Sequence, residues 1–134
     1  MKTKWLSGGF SGNLEFVRLK GKEVKTMPFY NWDNVEVQAI SDRVSRQIIT
    51  GEDVMMTMYK AKAGAEADPH QHEYEQIFCV LSGAWRFRVG DEERVVRAGD
   101  VVHIPSNVDH AGRVLEDVVT IGVVKRMAIK THMT

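Results

Sequence analysis

The sequence predicts an all-β domain, a barrel or sandwich built from short strands, on three observations. From about residue 43 onward, short apolar-rich runs alternate with turn signals. Trp85-Arg86-Phe87-Arg88-Val89 alternates apolar and charged side chains with the period of two that a half-buried strand requires. No amphipathic stretch of useful helical length occurs. Many short strands at even spacing bury their shared apolar face by closing on one another, which leaves most edges paired.

The strands read in order as Val44 to Thr50, turning at Gly51-Glu52-Asp53, and Val54 to Ala61. After a loop around Gly64 come Gln76 to Leu81, a turn at Ser82-Gly83, Ala84 to Val89, a turn at Gly90-Asp91-Glu92, and Glu93 to Arg97. Ala98-Gly99-Asp100 turns the chain into Val101 to Ile104, and Val118 to Val124 ends the set. This divides the chain into an N-terminal extension over 1–43, a barrel over 44–126 and a tail over 127–134. Within the extension, Met27-Pro28-Phe29-Tyr30-Asn31-Trp32 carries apolar bulk expected to pack across the barrel or against a second subunit. Residues 1–12 and 125–134 are expected to be partly mobile.

Eighteen basic and eighteen acidic side chains balance to a formal charge of zero, so neither nucleic acid nor a charged membrane surface is an expected partner. Neutrality also removes an electrostatic guard against self-association, which makes a homodimer plausible. A single cysteine, Cys79, excludes an intramolecular disulfide framework, and its place in the apolar run Ile77 to Leu81 reads as a buried, inert thiol. The start Met1-Lys2-Thr3-Lys4-Trp5 lacks the apolar stretch of a secretory signal, and no window is long and apolar enough to span a membrane as a helix. The expectation is a soluble cytoplasmic protein.

Of five histidines, three fall in two clusters, His70-Gln71-His72 and, much later, His110. Histidines at i and i+2 on an extended chain point to the same side and can both reach one ion. Gln76, at the head of an apolar strand, can offer its side-chain oxygen as a further neutral ligand on that face. A lone His-x-His pair is more often solvated surface than ligand, and the surrounding spacing decides the matter. Gly64 precedes His70 by five intervening residues, Gln76 precedes Gly83 by six, Gly99 precedes Pro105 by five, and Pro105 precedes His110 by four.

Those spacings resemble the two signature motifs of the cupin superfamily, over roughly residues 44 to 124. Gln76 stands where most cupins place glutamate, and Asn107 where many place a glycine. The resemblance implies a double-stranded β-helix (jelly-roll) barrel with one divalent ion (nickel, zinc, manganese or iron) at its mouth, held by His70, His72, Gln76 and His110. The string His70 to Ile77, with Val80, Ser82 and Gly83, is similar to the pectin-degradation (KdgF-type) group, whose metal set is three histidines and one glutamine. Gly99-Asp100, Ile104-Pro105 and Asn107-Val108 are similar to that group's second motif. Members of the group are thought to open or linearise 4,5-unsaturated uronic acids. The aspartate, aromatic residue and arginine of the group's last strand fall on Thr120, Gly122 and Arg126, so only the arginine is retained and the carboxylate expected to move a proton is missing.

Four neutral ligands leave a divalent ion its full charge, which suits it to polarise a carbonyl or hydroxyl. The leading reading is therefore a metal-dependent enzyme acting as a Lewis acid on a small oxygen-rich substrate by isomerisation, ring opening or a related reaction, with Arg126 as a candidate catalytic carboxylate anchor. An iron-dependent dioxygenase and a non-catalytic small-molecule-binding protein are the alternatives. Glu73, Tyr74 and Glu75 read as solvent-exposed loop residues, and His103 as a packing residue or one beside the ligands. Arg86 and Arg88 read as a solvent face, Met55, Met56 and Met58 as core or interface filler, and Trp85 and Phe87 as barrel wall. His132 lies in the tail.

Overall fold

The computed structural model describes residues 28–126, together with the backbone of 15–19 and 22–26. The chain divides into two compact units after Asn34. In the first, strands β1 (Glu15–Leu19) and β2 (Lys22–Thr26) pair as an antiparallel hairpin, and Trp32–Asn34 forms a single 3-10 turn. Phe29 and Tyr30 are exposed in the single chain, and Met27 lies outside the described residues, as do 1–12 and 127–134.

The second unit is one antiparallel eight-stranded sheet folded on itself. Its strands are β3 (Gln38–Ala39), β4 (Val44–Thr50), β5 (Val54–Ala61), β6 (Glu66–His70), β7 (Gln76–Val89), β8 (Glu92–Arg97), β9 (Val101–Ile104) and β10 (His110–Lys125). The two long strands make the fold. The first part of β7 pairs with β9 and its second part with β8; the first part of β10 pairs with β6 and its last part with β5. The two therefore run side by side from one layer of the jelly roll into the other.

The corner they share explains a departure from the sequence reading. Ser82-Gly83 is not a hairpin turn; the chain continues through it as one bent strand, and the register against β10 slips between Val114 and Thr120. Gly83 has φ +85°, and a Cβ there would stand 2.0 Å from the Asp117 carbonyl oxygen, so the bend needs a residue with no side chain. Two further elements had no strand signal. β6 carries Asp68 and Pro69 and buries only Ala67, which hides its alternation, and the first half of β10 is interrupted by Gly112.

Inward-facing residues of both layers form one core, with Val44, Phe78, Val80, Trp85, Phe87, Val96, Ile104, Val114 and Val118 buried. Val80 and Ile104 are the largest side chains in it that are fully enclosed. Cys79 does not join this core as expected. It alternates out of it and is half-buried on the outer face, flanked by exposed Ile77 and Leu81, because the apolar run of β7 is covered on one side only. Met55 and Met58 are buried and Met56 is exposed, as alternation along β5 requires for two of the three. Arg86 and Arg88 face outward, Arg88 holding Asp109 at 2.8 Å.

Candidate metal centre

His70 ends β6 and His110 begins β10, and the two residues are direct cross-strand partners. Their rings lie 4.2 Å apart, and the His72 ring lies 4.8 Å from that of His110. His72 sits in the connection to β7, which is fastened to the turn before β10: Asn107 donates its backbone N–H to the His72 carbonyl at 2.8 Å, and the Ser106 hydroxyl donates to the Glu73 carbonyl. That turn depends on Asn107, at φ 59°, a left-handed conformation that asparagine tolerates better than most residues and glycine best of all. The position where the cupin resemblance leads one to expect glycine thus has a backbone shape that glycine would also adopt.

One ring nitrogen from each of the three histidines lies within 4.8 Å of the others. Which nitrogen carries the lone pair follows from hydrogen bonding. Nδ1 of His70 meets the Asp68 carbonyl at 2.7 Å, Nδ1 of His72 the Tyr74 carbonyl at 2.6 Å, and Nδ1 of His110 the Val108 carbonyl at 2.9 Å. A carbonyl oxygen only accepts, so each Nδ1 carries the proton, and in the neutral ring Nε2 keeps its lone pair. Backbone contacts of this kind fix tautomer and ring direction at metal sites. Burial pushes the pKa of His110 down, and His70 and His72 push the same way against the opposing pull of the Val108 carbonyl and Asp109, which favours the neutral form a metal requires. The three histidines are positioned to hold a metal.

The histidines line a cavity of about 80 Å³ inside the barrel. Gln76, at the head of β7, lines it too. Tyr74 is the residue the sequence reading put in solvent and the structure puts in the cavity, its ring stacked on His72 at 3.8 Å and 6°. A signal was present: residues 70, 72, 74 and 76 all line the cavity while 71, 73 and 75 are exposed, a period of two through a stretch that is only partly strand. Burial raises the Tyr74 pKa above the usual phenolic value, and nearby Tyr59 adds to the shift. Glu73 and Glu75 are exposed, and Glu75 pairs with exposed His103 at 2.9 Å on the outside of the sheet.

Thr57 and Tyr59 on β5, and their partners Gly122 and Thr120 on β10, line the cavity beside Trp85 and Phe87 of β7. Thr120 is thus inside the site, whereas Arg126 is not among the lining residues. Its backbone N–H donates to the Asp53 carbonyl at 2.9 Å and its guanidinium to the Glu52 carbonyl at 3.3 Å, beside the β4–β5 turn.

A jelly-roll barrel enclosing three convergent imidazoles defines a class of small metal-site β-barrels. A family model described as the cupin domain matches residues 57–123, and the chain belongs to that family. It is similar to KdgF from Halomonas sp., with 28% identity and a TM-score of 0.71 over 77% of this chain and 96% of that one. An RmlC-like cupin from Shewanella frigidimarina shares its fold at 23% identity, with a TM-score of 0.71 over 76% of this chain and 93% of that one. An uncharacterized protein of Streptomyces coelicolor is 27% identical over 85 residues, which is 63% of this chain and 81% of that protein. Among the described residues no helix is long and apolar enough to cross a membrane.

Proposed function

We propose that this protein is a metal-dependent enzyme acting on a small, oxygen-rich substrate such as a sugar acid or an enolisable carbonyl compound, by isomerisation, ring opening or a related proton shift. The observation that carries the reading is that all three imidazoles are held through Nδ1 by backbone carbonyls, which leaves three neutral donors for one ion. His70, His72 and His110 would hold it, with the Gln76 amide oxygen as fourth ligand. A divalent ion bound there supplies Lewis-acid polarisation of a substrate oxygen. The chain's own contribution is orientation and proton donation. Tyr59 and Tyr74 line the cavity with phenolic groups, and the apolar wall of Phe78, Phe87 and Ile104 keeps bulk water from the reacting atoms.

Likeness to KdgF supports the uronate end of this substrate range, while Thr120 stands where the uronate-processing group carries an aspartate, so the proton-moving carboxylate of that group has no counterpart there. The reading includes a cytoplasmic location and a homodimer. Exposed Met56, Val123 and Ile77, neighbours across β5, β10 and β7, supply an apolar outer row for the second copy, and sedimentation equilibrium tests it. The decisive experiment is elemental analysis of freshly purified protein followed by turnover assays on unsaturated uronates and hydroxy-carbonyl compounds, with the stoichiometric metal present and after its chelation. Turnover that requires the metal and disappears in His72→Ala is the expected result; a fully metal-loaded protein that binds such compounds and never converts them would overturn the enzymatic reading.

A further inference from the structure

Thr57 and Thr120 carry hydroxyls inside the barrel that the fold itself does not use. Thr57 is 7% exposed and Thr120 3%, and neither side-chain hydroxyl has a hydrogen-bond partner among the described residues. The buried side-chain polar atom among those residues that is unpaired and also sealed off is Trp85 Nε1, so the two threonine hydroxyls keep an open side. Both residues line the cavity of the histidines, and with so little surface elsewhere that open side faces the cavity. A wall that needed only bulk at these positions would be served by valine, which has the same shape and no polar atom to satisfy.

Their place in the sheet makes them a pair. Thr120 on β10 stands opposite Tyr59 on β5, and Gly122, two residues on, stands opposite Thr57, so the threonines are diagonal neighbours on the inward face. Such neighbours lie roughly 7–8 Å apart, a gap that one small oxygenated group between them spans. Gly122 keeps the pair uncovered: a Cβ there would stand 3.1 Å from the Phe78 Cβ and 3.5 Å from Thr57 Oγ1, so a larger side chain would crowd the hydroxyl. Gly122 is not among the glycines with positive φ, so its backbone conformation is open to any residue. At this position the group that the sequence resembles carries an aromatic residue, and here that space is left to the cavity.

The histidines reach the cavity where β6 pairs with the first part of β10, the threonines where β5 pairs with its last part. A ligand with one end at the histidines can therefore meet the threonines with the other. The volume of about 80 Å³ matches roughly five to eight water-sized positions at about 10–15 Å³ each, room for a three- or four-carbon compound. Each threonine hydroxyl both donates and accepts, which a ligand hydroxyl matches and a methyl group does not. Among the described residues no Lys, Arg, Asp or Glu lines the cavity, so a carboxylate carried to the threonine end would be buried with no cation to meet it.

Resting on the proposed metal-dependent reading, we infer that Thr57 and Thr120 are the specificity-determining pair of the site, taking an uncharged hydroxyl group on the end of the substrate remote from the histidines. The substrate class narrows to hydroxy acids and hydroxy-carbonyl compounds whose carboxylate, where they have one, lies at the histidine end.

Three acids that share an α-hydroxy carboxylate test this in the metal-loaded protein. Glycerate carries a terminal hydroxyl, 2-hydroxybutyrate a methyl group in its place, and malate a second carboxylate. Calorimetric titration should show glycerate binding more tightly than 2-hydroxybutyrate. Thr57→Val and Thr120→Val should each weaken glycerate roughly threefold to tenfold, as loss of one net hydrogen bond predicts, and should not weaken 2-hydroxybutyrate or malate. Thr57→Ser and Thr120→Ser, which keep the hydroxyl, should bind glycerate as the parent does. In the ligand-free protein neither valine exchange should lower the urea midpoint, because no internal hydrogen bond is lost; a lowered midpoint marks hydroxyls that serve the fold and overturns the proposal. So do equal effects of the valine exchanges on glycerate and 2-hydroxybutyrate, an effect on malate as large as that on glycerate, and a metal-loaded protein that binds none of the three acids. In each of those cases stoichiometric metal leaves the metal-site reading standing; failure to bind metal at all removes both.

Discussion

If the three imidazoles hold a divalent ion, adding Zn²⁺ or Ni²⁺ to the metal-free protein must raise its melting temperature, because a ligand that binds only the folded chain stabilises it by mass action. The donors meet only through the pairing of β6 with β10, so the unfolded chain offers at best the local His70-x-His72 pair. With free metal a hundredfold above its dissociation constant the gain is about 2.7 kcal/mol. A unit of this size shifts by about 4–8 °C per kcal/mol, so the expected rise is roughly 10–20 °C. His70→Ala is the informative variant. His70 is only partly buried and its Nδ1 bond is to a carbonyl two residues away, so the metal-free melting temperature should fall little. Loss of a direct ligand should weaken metal binding by at least the ~100-fold that loss of an outer partner can reach. At the same metal concentration the gain then drops to below ~0.5 kcal/mol, a few degrees at most. His110, at 3% exposure, is the poorer choice because its removal also opens a cavity in the core. Scanning calorimetry of metal-free and metal-loaded samples reads all of this. An unchanged metal-induced rise in His70→Ala, or none in the parent protein with any of zinc, nickel, manganese and iron, would refute the reasoning.

Three other outcomes can be checked on the same preparations. Gly83→Ala should destabilise more than Gly99→Ala by urea midpoint: both positions have positive φ, costing ~1–2 kcal/mol, but only at Gly83 does the added Cβ meet backbone, 2.0 Å from the Asp117 carbonyl oxygen, while Gly99 has nothing within 4 Å. Gln76→Glu should tighten the ion at least about tenfold, ~1.4 kcal/mol, in competition with a chelator, since a carboxylate then joins three neutral donors; unchanged affinity would place residue 76 outside the ligand set. The metal-free fold should lose stability as pH falls below about 6.5, the ordinary histidine value. His110 has its pKa lowered in the folded state, so between the two values the unfolded chain binds the extra proton and stability rises with pH. Urea midpoints at pH 5 and 7.5 should differ in that direction, and by less in His110→Gln.

The strands that sequence alone located were those whose alternation is intact on the inward face. Residues 44–50, 54–61 and 101–104 are strands with the bounds their patterns give. The pattern was lost where the chain serves the site. β6 must deliver His70 next to His110 and is too polar to read as a strand, and β10 gives up an inward side chain at Gly112 to admit an indole. The convergence of His70, His72 and His110 was legible because their spacing is fixed by strand geometry. Tyr74 was not, because its neighbours Glu73 and Glu75 made the segment look like solvated loop, although the alternation from His70 to Gln76 runs through it. For Arg126, position along a strand was legible, but which way the chain after β10 sends its side chain depends on the β4–β5 turn, whose carbonyls Arg126 meets.

Which reactions are open depends on the groups left to move protons. Among the described residues no carboxylate lines the cavity, and the raised pKa of Tyr74 keeps it protonated near neutral pH, a donor and not a base. Among the described residues no carboxylate is there to abstract a proton, and Thr120 marks where one would stand: it is 3% exposed, lines the cavity, and pairs with Tyr59 on β5. Thr120→Asp places a carboxylate there. In the metal-free protein that carboxylate is desolvated with no cation along the lining, so its pKa should rise and the variant should be less stable at neutral pH than the parent by about 1–3 kcal/mol. A bound divalent ion supplies the missing positive charge, so metal should stabilise Thr120→Asp more than it stabilises the parent. If the chain's ancestry lies with uronate-processing relatives, the metal-loaded variant should also turn over 4,5-unsaturated uronates faster than the parent, with an acidic limb in the pH–rate profile that the parent lacks. A variant that binds metal with the parent's affinity, gains no extra stabilisation from it and shows no such limb would mean that residue 120 does not face the ion, and the arrangement of the site drawn from β10 would have to be given up.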